Sequence, residues 1–239
     1  MRSTLTPIVI TGGEGQLASA LSLYFPYADF PGKRRLDVAD VGSCARYFSS
    51  RSVQLVIHTA AEISYRAPQE VLESVNVDGT WNVTRWAESH GARLVFISTD
   101  YTYPGTRGAY TERDECAPIG PYAASKYAGE CAALTYDKTL AIRTSFYSRL
   151  DLQSAATDAF TSKMHISECA ALIAALSTST ATGVVNVGGL RRSLFEIAVE
   201  YNPRCKPINR VDAHFVNLPY QIPHDVSMDC SRMKGILGR

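Results

Sequence analysis

The sequence predicts a doubly wound parallel α/β sheet followed by a smaller C-terminal lobe, and three observations carry that reading. Short apolar, β-branched runs recur at Ile8-Val9-Ile10, Gln54 to His58, Leu94 to Ser98 and Thr139 to Arg143. Their near-continuous apolar character suits parallel strands covered on both faces. Stretches of helical spacing separate them, as βα alternation requires. The first run ends directly in glycines, at Thr11-Gly12-Gly13-Glu14-Gly15-Gln16-Leu17-Ala18.

Taken in order, the first strand turns at Gly12 into a helix-compatible stretch from Gln16 to Phe25. Asp40, closing Leu36-Asp37-Val38-Ala39-Asp40, is expected to cap the next helix. After the second strand, Val71 to His90 has helical spacing and stops at Gly91, which suits a left-handed cap. Pro121 to Tyr136 follows the third strand, with proline at the start of the helix, where a missing N–H costs little. Thr139 to Arg143 is the fourth strand. About 140 residues of this alternation argue for a Rossmann-type sheet. The pattern then loosens. Tyr147 to Lys163 is polar and irregular, Ser167 to Leu176 reads as helix, Val184 to Val187 as strand and Ser193 to Tyr201 as a short amphipathic helix. Pro203, Pro207, Pro219 and Pro223 predict loops beyond. Residues 1–145 are read as a dinucleotide-binding domain, and 146–239 as a small substrate-binding lobe with some segments returning to the first domain.

Bulk composition bounds the partners. The chain has 239 residues, 46% hydrophobic and 20% charged, which suits a soluble protein with a sizeable core. A formal charge of +1 supplies no global field to gather nucleic acid or an anionic membrane, so phosphate recognition must be local. The six cysteines are scattered without a C-x-x-C pair and read as reduced, buried thiols, and no metal site is expected. Met1-Arg2-Ser3-Thr4 runs into the first strand without a signal-peptide core, and no apolar stretch approaches a membrane span, so the expected location is cytoplasmic.

A strand ending in Gly12, with Gly15 three residues on, turns backbone amides and a helix start toward a bound anion with no Cβ in the way. It is either a tight strand–helix connection or the pyrophosphate seat of a dinucleotide, and its place after the first strand favours the second. Nicotinamide adenine dinucleotide sites often carry a carboxylate about 20 residues on, whereas a 2′-phosphate calls for cations. That region holds Lys33-Arg34-Arg35, with Asp29 slightly earlier; the basic run is a solvated face or a 2′-phosphate site that favours NADPH, with NADH the alternative. Ligands in open α/β sheets bind beyond the carboxyl ends of the strands, which places Ser98-Thr99-Asp100 in the cleft. Tyr122 and Lys126, at i and i+4, share a helix face. An ordinary tyrosine titrates near pH 10, and a neighbouring ammonium favours its phenolate, which suits proton exchange with a carbonyl. Tyr122 is therefore the expected acid in a reduction, Lys126 its modulator and a ribose ligand, and Thr99 the carbonyl orienter.

At these residues the chain resembles the extended short-chain dehydrogenase/reductases, and within them the dTDP-4-dehydrorhamnose reductase group of sugar-nucleotide reductases. The resemblance rests on the Thr11-to-Ala18 turn, Leu36-Asp37-Val38-Ala39-Asp40, His58-Thr59-Ala60-Ala61, Asn76-Val77-Asp78-Gly79-Thr80, Ile97-Ser98-Thr99-Asp100-Tyr101, Pro121-Tyr122-Ala123-Ala124-Ser125-Lys126 and Arg143-Thr144-Ser145. It implies that Gly12, Gly15, Gln16 and Leu17 hold the pyrophosphate side, Asp37 and Val38 the adenine, and Ala60, Ala61 and Ser98 further cofactor edges. Lys33 and Arg34 join the cofactor set from the basic run, and by the resemblance Thr99, Tyr122 and Lys126 carry the chemistry while Tyr101 and Phe146 line the substrate or pack. Asn76 caps or packs its helix. The implied activity is NAD(P)H-dependent reduction of the 4-keto group of a nucleotide-linked 4-keto-6-deoxy sugar, in a chain that also admits a homodimer. Two alternatives share the fold: a sugar-nucleotide epimerase or epimerase/reductase, and a non-catalytic NADP-binding regulator resembling the regulatory subunit of methionine adenosyltransferase. The chain departs from the group in being shorter between Phe146 and Ser167, in carrying Glu62-Ile63-Ser64-Tyr65-Arg66 after the alanine pair, and in Ile222-Pro223 near the end. Lys163, Arg191 and Arg192 are solvated surface or face a substrate diphosphate.

Overall fold

The computed structural model describes residues 7–49, 51–212 and 222–238. The N-terminal residues read above for a leader, and Pro219, lie outside the described residues. In chain order the elements begin β1 (Ile8–Thr11), α1 (Gln16–Leu21), α2 (Val41–Phe48), β2 (Leu55–His58) and α3 (Gln69–Leu72). A π-helical turn (Glu73–Asp78) then leads into α4 (Gly79–Ser89), β3 (Arg93–Thr99), α5 (Gly120–Ala133) and β4 (Thr139–Thr144). The short strands β5 (Phe146–Tyr147), β6 (Ser154–Ala156), β7 (Phe160–Thr161) and β8 (Met164–His165) precede α6 (Ile166–Ser177) and β9 (Gly183–Val187). The chain closes with β10 (Arg192–Ser193), α7 (Leu194–Tyr201), β11 (Lys206–Ile208) and α8 (Ser231–Leu237).

The central sheet is parallel with order β1-β2-β3-β4-β9. Helices cover both faces. Leu17 and Leu21 of α1, Ile173 of α6 and Met233 of α8 share one apolar core with Ile10, Ile57 and Ile142. Phe48 of α2, Val83 and Trp86 of α4 and Ala133 of α5 form the other with Val56, Leu94 and Phe96. Side chains that alternate along each strand thus meet apolar neighbours on both sides, which is why these strands read as unbroken apolar runs.

Among the described residues, the sheet continues on the outer side of β1 as a bridge between Val9 and Asp29. Pro26, Pro31 and Gly32 interrupt this segment, and such residues do not sustain a ladder. The helix expected from Gln16 to Phe25 ends at Leu21, because the chain turns there, with Tyr24 and Phe25 N–H both bonding the Leu21 carbonyl, before Pro26. Asp40 caps α2 by accepting from Gly42 N–H at 2.8 Å. Gly91 adopts φ +66°, the left-handed stop read from the sequence.

The helix expected at Val71 to His90 begins at Gln69 and carries the π turn. Gly129 of α5 faces that turn so closely that a Cβ would sit 2.3 Å from the Asn76 carbonyl oxygen. The carbonyl instead accepts from Thr80 Oγ1 at 2.7 Å, so the irregular turn leaves it satisfied.

Beyond β4, β9 joins the central sheet, while β6 pairs with β11, β7 with β10 and β5 with β8 as two-stranded ribbons. The polar 147–163 stretch thus carries short strands whose pairing partners are distant or brief, leaving no periodic signal in the sequence. Among the described residues no helix is long and apolar enough to cross a membrane.

Candidate active site

Two adjoining cavities open at the carboxyl ends of β1, β2 and β3. The larger, about 640 Å³, is bounded by the glycine turn and α1 start, by Thr99 to Tyr101, by Tyr122 and Lys126, and by Ser145, Phe146 and Lys163. The smaller, about 260 Å³, is bounded by Gly12, Lys33, Asp37, Val38 and Ala60. Glu14, Gly15, Thr59 and Ala61 line both, so the two form one cleft.

Gly12 makes the narrow junction possible. It has φ +69°, and a Cβ there would lie 2.8 Å from Ala60 Cα, so any other residue would both strain the turn and push the β2 end away. Gly15 precedes α1 without a side-chain cap, leaving first-turn N–H groups for the cleft. A narrow glycine floor, open amides and a long cleft fit an extended diphosphate ligand.

Lys126 is 3% exposed, with Nζ 4.2 Å from the Phe96 ring centroid. Burial, opposed by the Glu130 carboxylate, brings its pKa from 10.5 down to about 7. Between those values the unfolded chain binds a proton that the folded chain lacks, so this group makes stability rise with pH across that window. Lys126→Met should abolish the rise. In denaturation at a series of pH values, the wild type should gain on the variant from neutral to alkaline pH, and a constant difference would mean that the ammonium is not desolvated.

Thr99 ends β3, and its hydroxyl donates to Asp100 at 3.3 Å and accepts from Tyr101 N–H at 3.3 Å. Tyr122, in the first turn of α5, lines the cleft, and its carbonyl accepts from Ser125 Oγ at 2.8 Å. Tyr101 and Phe146 also face the larger cavity. Gln16 and Leu17 border it, and Val38, Asp37 and Ala60 border the smaller one.

Two expected positions behave differently. Ser98 lines the cleft, and its hydroxyl donates to Glu130 Oε2 at 2.6 Å, because the buried carboxylate needs donors. Arg34 is exposed and borders neither cavity; of the basic run only Lys33 reaches the cleft, with Nζ 3.9 Å from Asp37. Arg35 instead clamps Asp29 with two bonds of 2.8 and 2.9 Å, and Tyr47 donates to the same carboxylate at 2.7 Å. Asp29 therefore serves the scaffold. Arg191 pairs with Asp225 and Arg192 with Glu200, so neither faces the cleft as a free cation.

Other residues of the cleft carried no role in the sequence reading. Asp100 is 1% exposed beside Lys163, and burial, opposed by Lys163 and by the Thr99 and Ser145 hydroxyls, pushes its carboxyl up to about 6. Its position after Thr99 at a strand end was the available signal. Ile63 and Tyr65, in the segment after the alanine pair where the chain departs from the group, line the larger cavity. Asn76, read only as a cap or packing residue, spans the cleft's support: Oδ1 accepts from Glu62 N–H at 2.8 Å, and Nδ2 donates to Glu62 O and Ser125 Oγ, both at 2.9 Å. Among the described residues no group of three His, Cys, Asp or Glu could hold a metal ion.

A dTDP-4-dehydrorhamnose reductase of Mycobacterium tuberculosis is 34% identical over 155 residues, 58% of this chain and 49% of that protein. Methionine adenosyltransferase 2 subunit beta of Rattus norvegicus is 29% identical over 145 residues, 53% of this chain and 42% of that protein. The chain spans about half the length of the curated relatives it matches. Among solved structures, dTDP-4-dehydrorhamnose reductase from Bacillus anthracis in complex with NADP superposes with a TM-score of 0.87 at 24% identity, covering 96% of this chain and 92% of that one, a likeness of fold. Residues 6–165 match the RmlD substrate binding domain. The glycine turn, the Ala60-Ala61 edge and the Thr99, Tyr122 and Lys126 cluster all fall inside that stretch, and the chain belongs to the RmlD substrate binding domain family.

Proposed function

We propose that this protein is an NADPH-dependent reductase of the 4-keto group of a nucleotide-linked 4-keto-6-deoxy sugar, with NADH as the lesser cofactor. The observation that carries the reading is the single cleft joining Lys33 and Asp37 at one end to Thr99, Tyr122 and Lys126 at the other. A dinucleotide is a long ligand with a phosphate middle, and the glycine turn lies at the middle of this cleft. When bound, the nicotinamide supplies the hydride. Tyr122 donates the proton to the sugar oxygen, Lys126 holds positive charge beside the phenol, and Thr99 orients the carbonyl. Asp100 and Lys163 offer the substrate a carboxylate and an ammonium within the same cavity. Residues after Phe146 form the substrate side. Nothing in the charge balance calls for a nucleic-acid or membrane partner; a homodimer and a cytoplasmic location belong to the same reading.

The test is consumption of NADPH, followed by its absorbance, with a panel of 4-keto-6-deoxy sugar nucleotides. Inverted sugar with NADPH unchanged would indicate an epimerase. Tight NADPH binding without turnover on any member would favour the regulatory reading, which the similarity to methionine adenosyltransferase 2 subunit beta supports. For the cofactor, Lys33→Ala should weaken NADPH by about tenfold and NADH far less, since a charge-assisted phosphate contact is lost. Arg34→Ala should alter neither. Equal losses for both cofactors in the Lys33 variant would remove the 2′-phosphate assignment.

A further inference from the structure

His58 closes β2 as a fully buried imidazole that the proposed chemistry does not use. Its Nδ1 lies 2.7 Å from Thr11 Oγ1, and its Nε2 lies 3.2 Å from Thr80 Oγ1. Neighbouring bonds fix the direction of both. Thr80 Oγ1 gives its one proton to the Asn76 carbonyl at 2.7 Å, so toward His58 it can only accept, and Nε2 must carry the hydrogen. Nδ1 is then bare and accepts from the Thr11 hydroxyl. Thr11 Oγ1 in turn accepts from Ala60 N–H at 3.2 Å. The ring stays neutral because burial, and secondly the Lys126 ammonium, depress its pKa to about 3.

The resulting chain of donors has one direction on each side of the ring. On one side, Ala60 N–H and the Thr11 hydroxyl hold the junction where Gly12 crosses the β2 end. On the other, Thr80 secures the carbonyl of Asn76, whose amide braces Glu62 beside the cleft and Ser125 next to Lys126. We propose that His58 is a positioning residue which, as the Nε2–H tautomer, couples the glycine turn to the π turn that braces the α5 segment carrying Tyr122 and Lys126. The inference rests on the dinucleotide reading, since the coupled turn is the one assigned to the cofactor's diphosphate.

Two amide variants separate the two sides of the ring. An asparagine oxygen reaches toward the Nδ1 position, and a glutamine nitrogen reaches toward the Nε2 position. His58→Asn should keep the Thr11 bond and hold NADPH affinity within about threefold, whereas His58→Gln should lose it and weaken NADPH by about tenfold, the scale of one lost buried hydrogen bond. Affinity is read from NADPH fluorescence, which needs no turnover. Wild type that fails to bind NADPH would overturn the dinucleotide reading and this inference with it. Wild type that binds, with both variants weakened equally or not at all, would overturn the inference alone. Should either variant fail to fold, nitrogen NMR of the wild-type imidazole decides: a neutral Nε2–H ring from about pH 5 to about pH 8 is expected, and an Nδ1–H ring or an imidazolium contradicts the proposal.

Discussion

Tyr122→Phe should lower turnover by about 10² or more while leaving NADPH affinity within a few-fold. The substitution removes one oxygen and keeps the ring that lines the cleft. The backbone of the first turn of α5 is held separately, since Ser125 Oγ donates to the Tyr122 carbonyl at 2.8 Å. On the proposed reading, what disappears is the proton donor of the cavity that Tyr122 and Lys126 both line. Saturating kinetics with NADPH and a 4-keto-6-deoxy sugar nucleotide measure the effect. Turnover at the wild-type rate would show that the phenol is not the acid, and a Kd for NADPH raised in step with the loss would place Tyr122 in cofactor binding.

Arg143→Met should be the most destabilising of the changes considered, costing about 3–5 kcal/mol. Arg143 lies near the carboxyl end of β4, with its side chain 5% exposed and that of Glu130 1% exposed. Arg143 Nε donates to both Glu130 oxygens at 3.1 Å, Nη1 donates to Tyr103 Oη at 2.9 Å, and the Tyr103 hydroxyl reaches Asn186 Oδ1 at 2.8 Å. Ser98 supplies a further donor to the carboxylate. One network therefore ties β3, α5, β4 and β9 together behind the cleft. Removing the guanidinium strands a carboxylate with no route to water, and burial charges nearly its full desolvation cost. Adding Glu130→Leu to the Met variant should recover most of the loss, because two apolar groups replace two charges. Denaturant midpoints of the three proteins provide the test; a single variant within about 1 kcal/mol of wild type would mean that water reaches the pair.

The first 145 residues were legible because their signals are local. A strand covered on both faces must be apolar throughout, Asp40 and Gly91 mark helix ends by their own backbone and side-chain chemistry, and Gly12 marks a turn that no side chain tolerates. Tyr122 and Lys126 were legible as a pair because four residues of helix put them on one face. The π turn was not, since the neighbour packed against it, Gly129 of α5, is distant in sequence. Nor was the short pairing within 147–163, where strands of two or three residues leave no period to read.

The sequence by itself determined the βα alternation, the glycine turn and the placing of Tyr122 and Lys126 on one helix face, since each depends on neighbours within a turn or a strand. Only the tertiary structure decided that Ser98 turns to Glu130, that Lys33 and not Arg34 reaches the cleft, and that Asn76 and His58 brace it. Those outcomes depend on which buried polar group finds which partner. A buried donor or acceptor must be satisfied by whatever the fold brings within about 3 Å, and that partner is often far away in the chain.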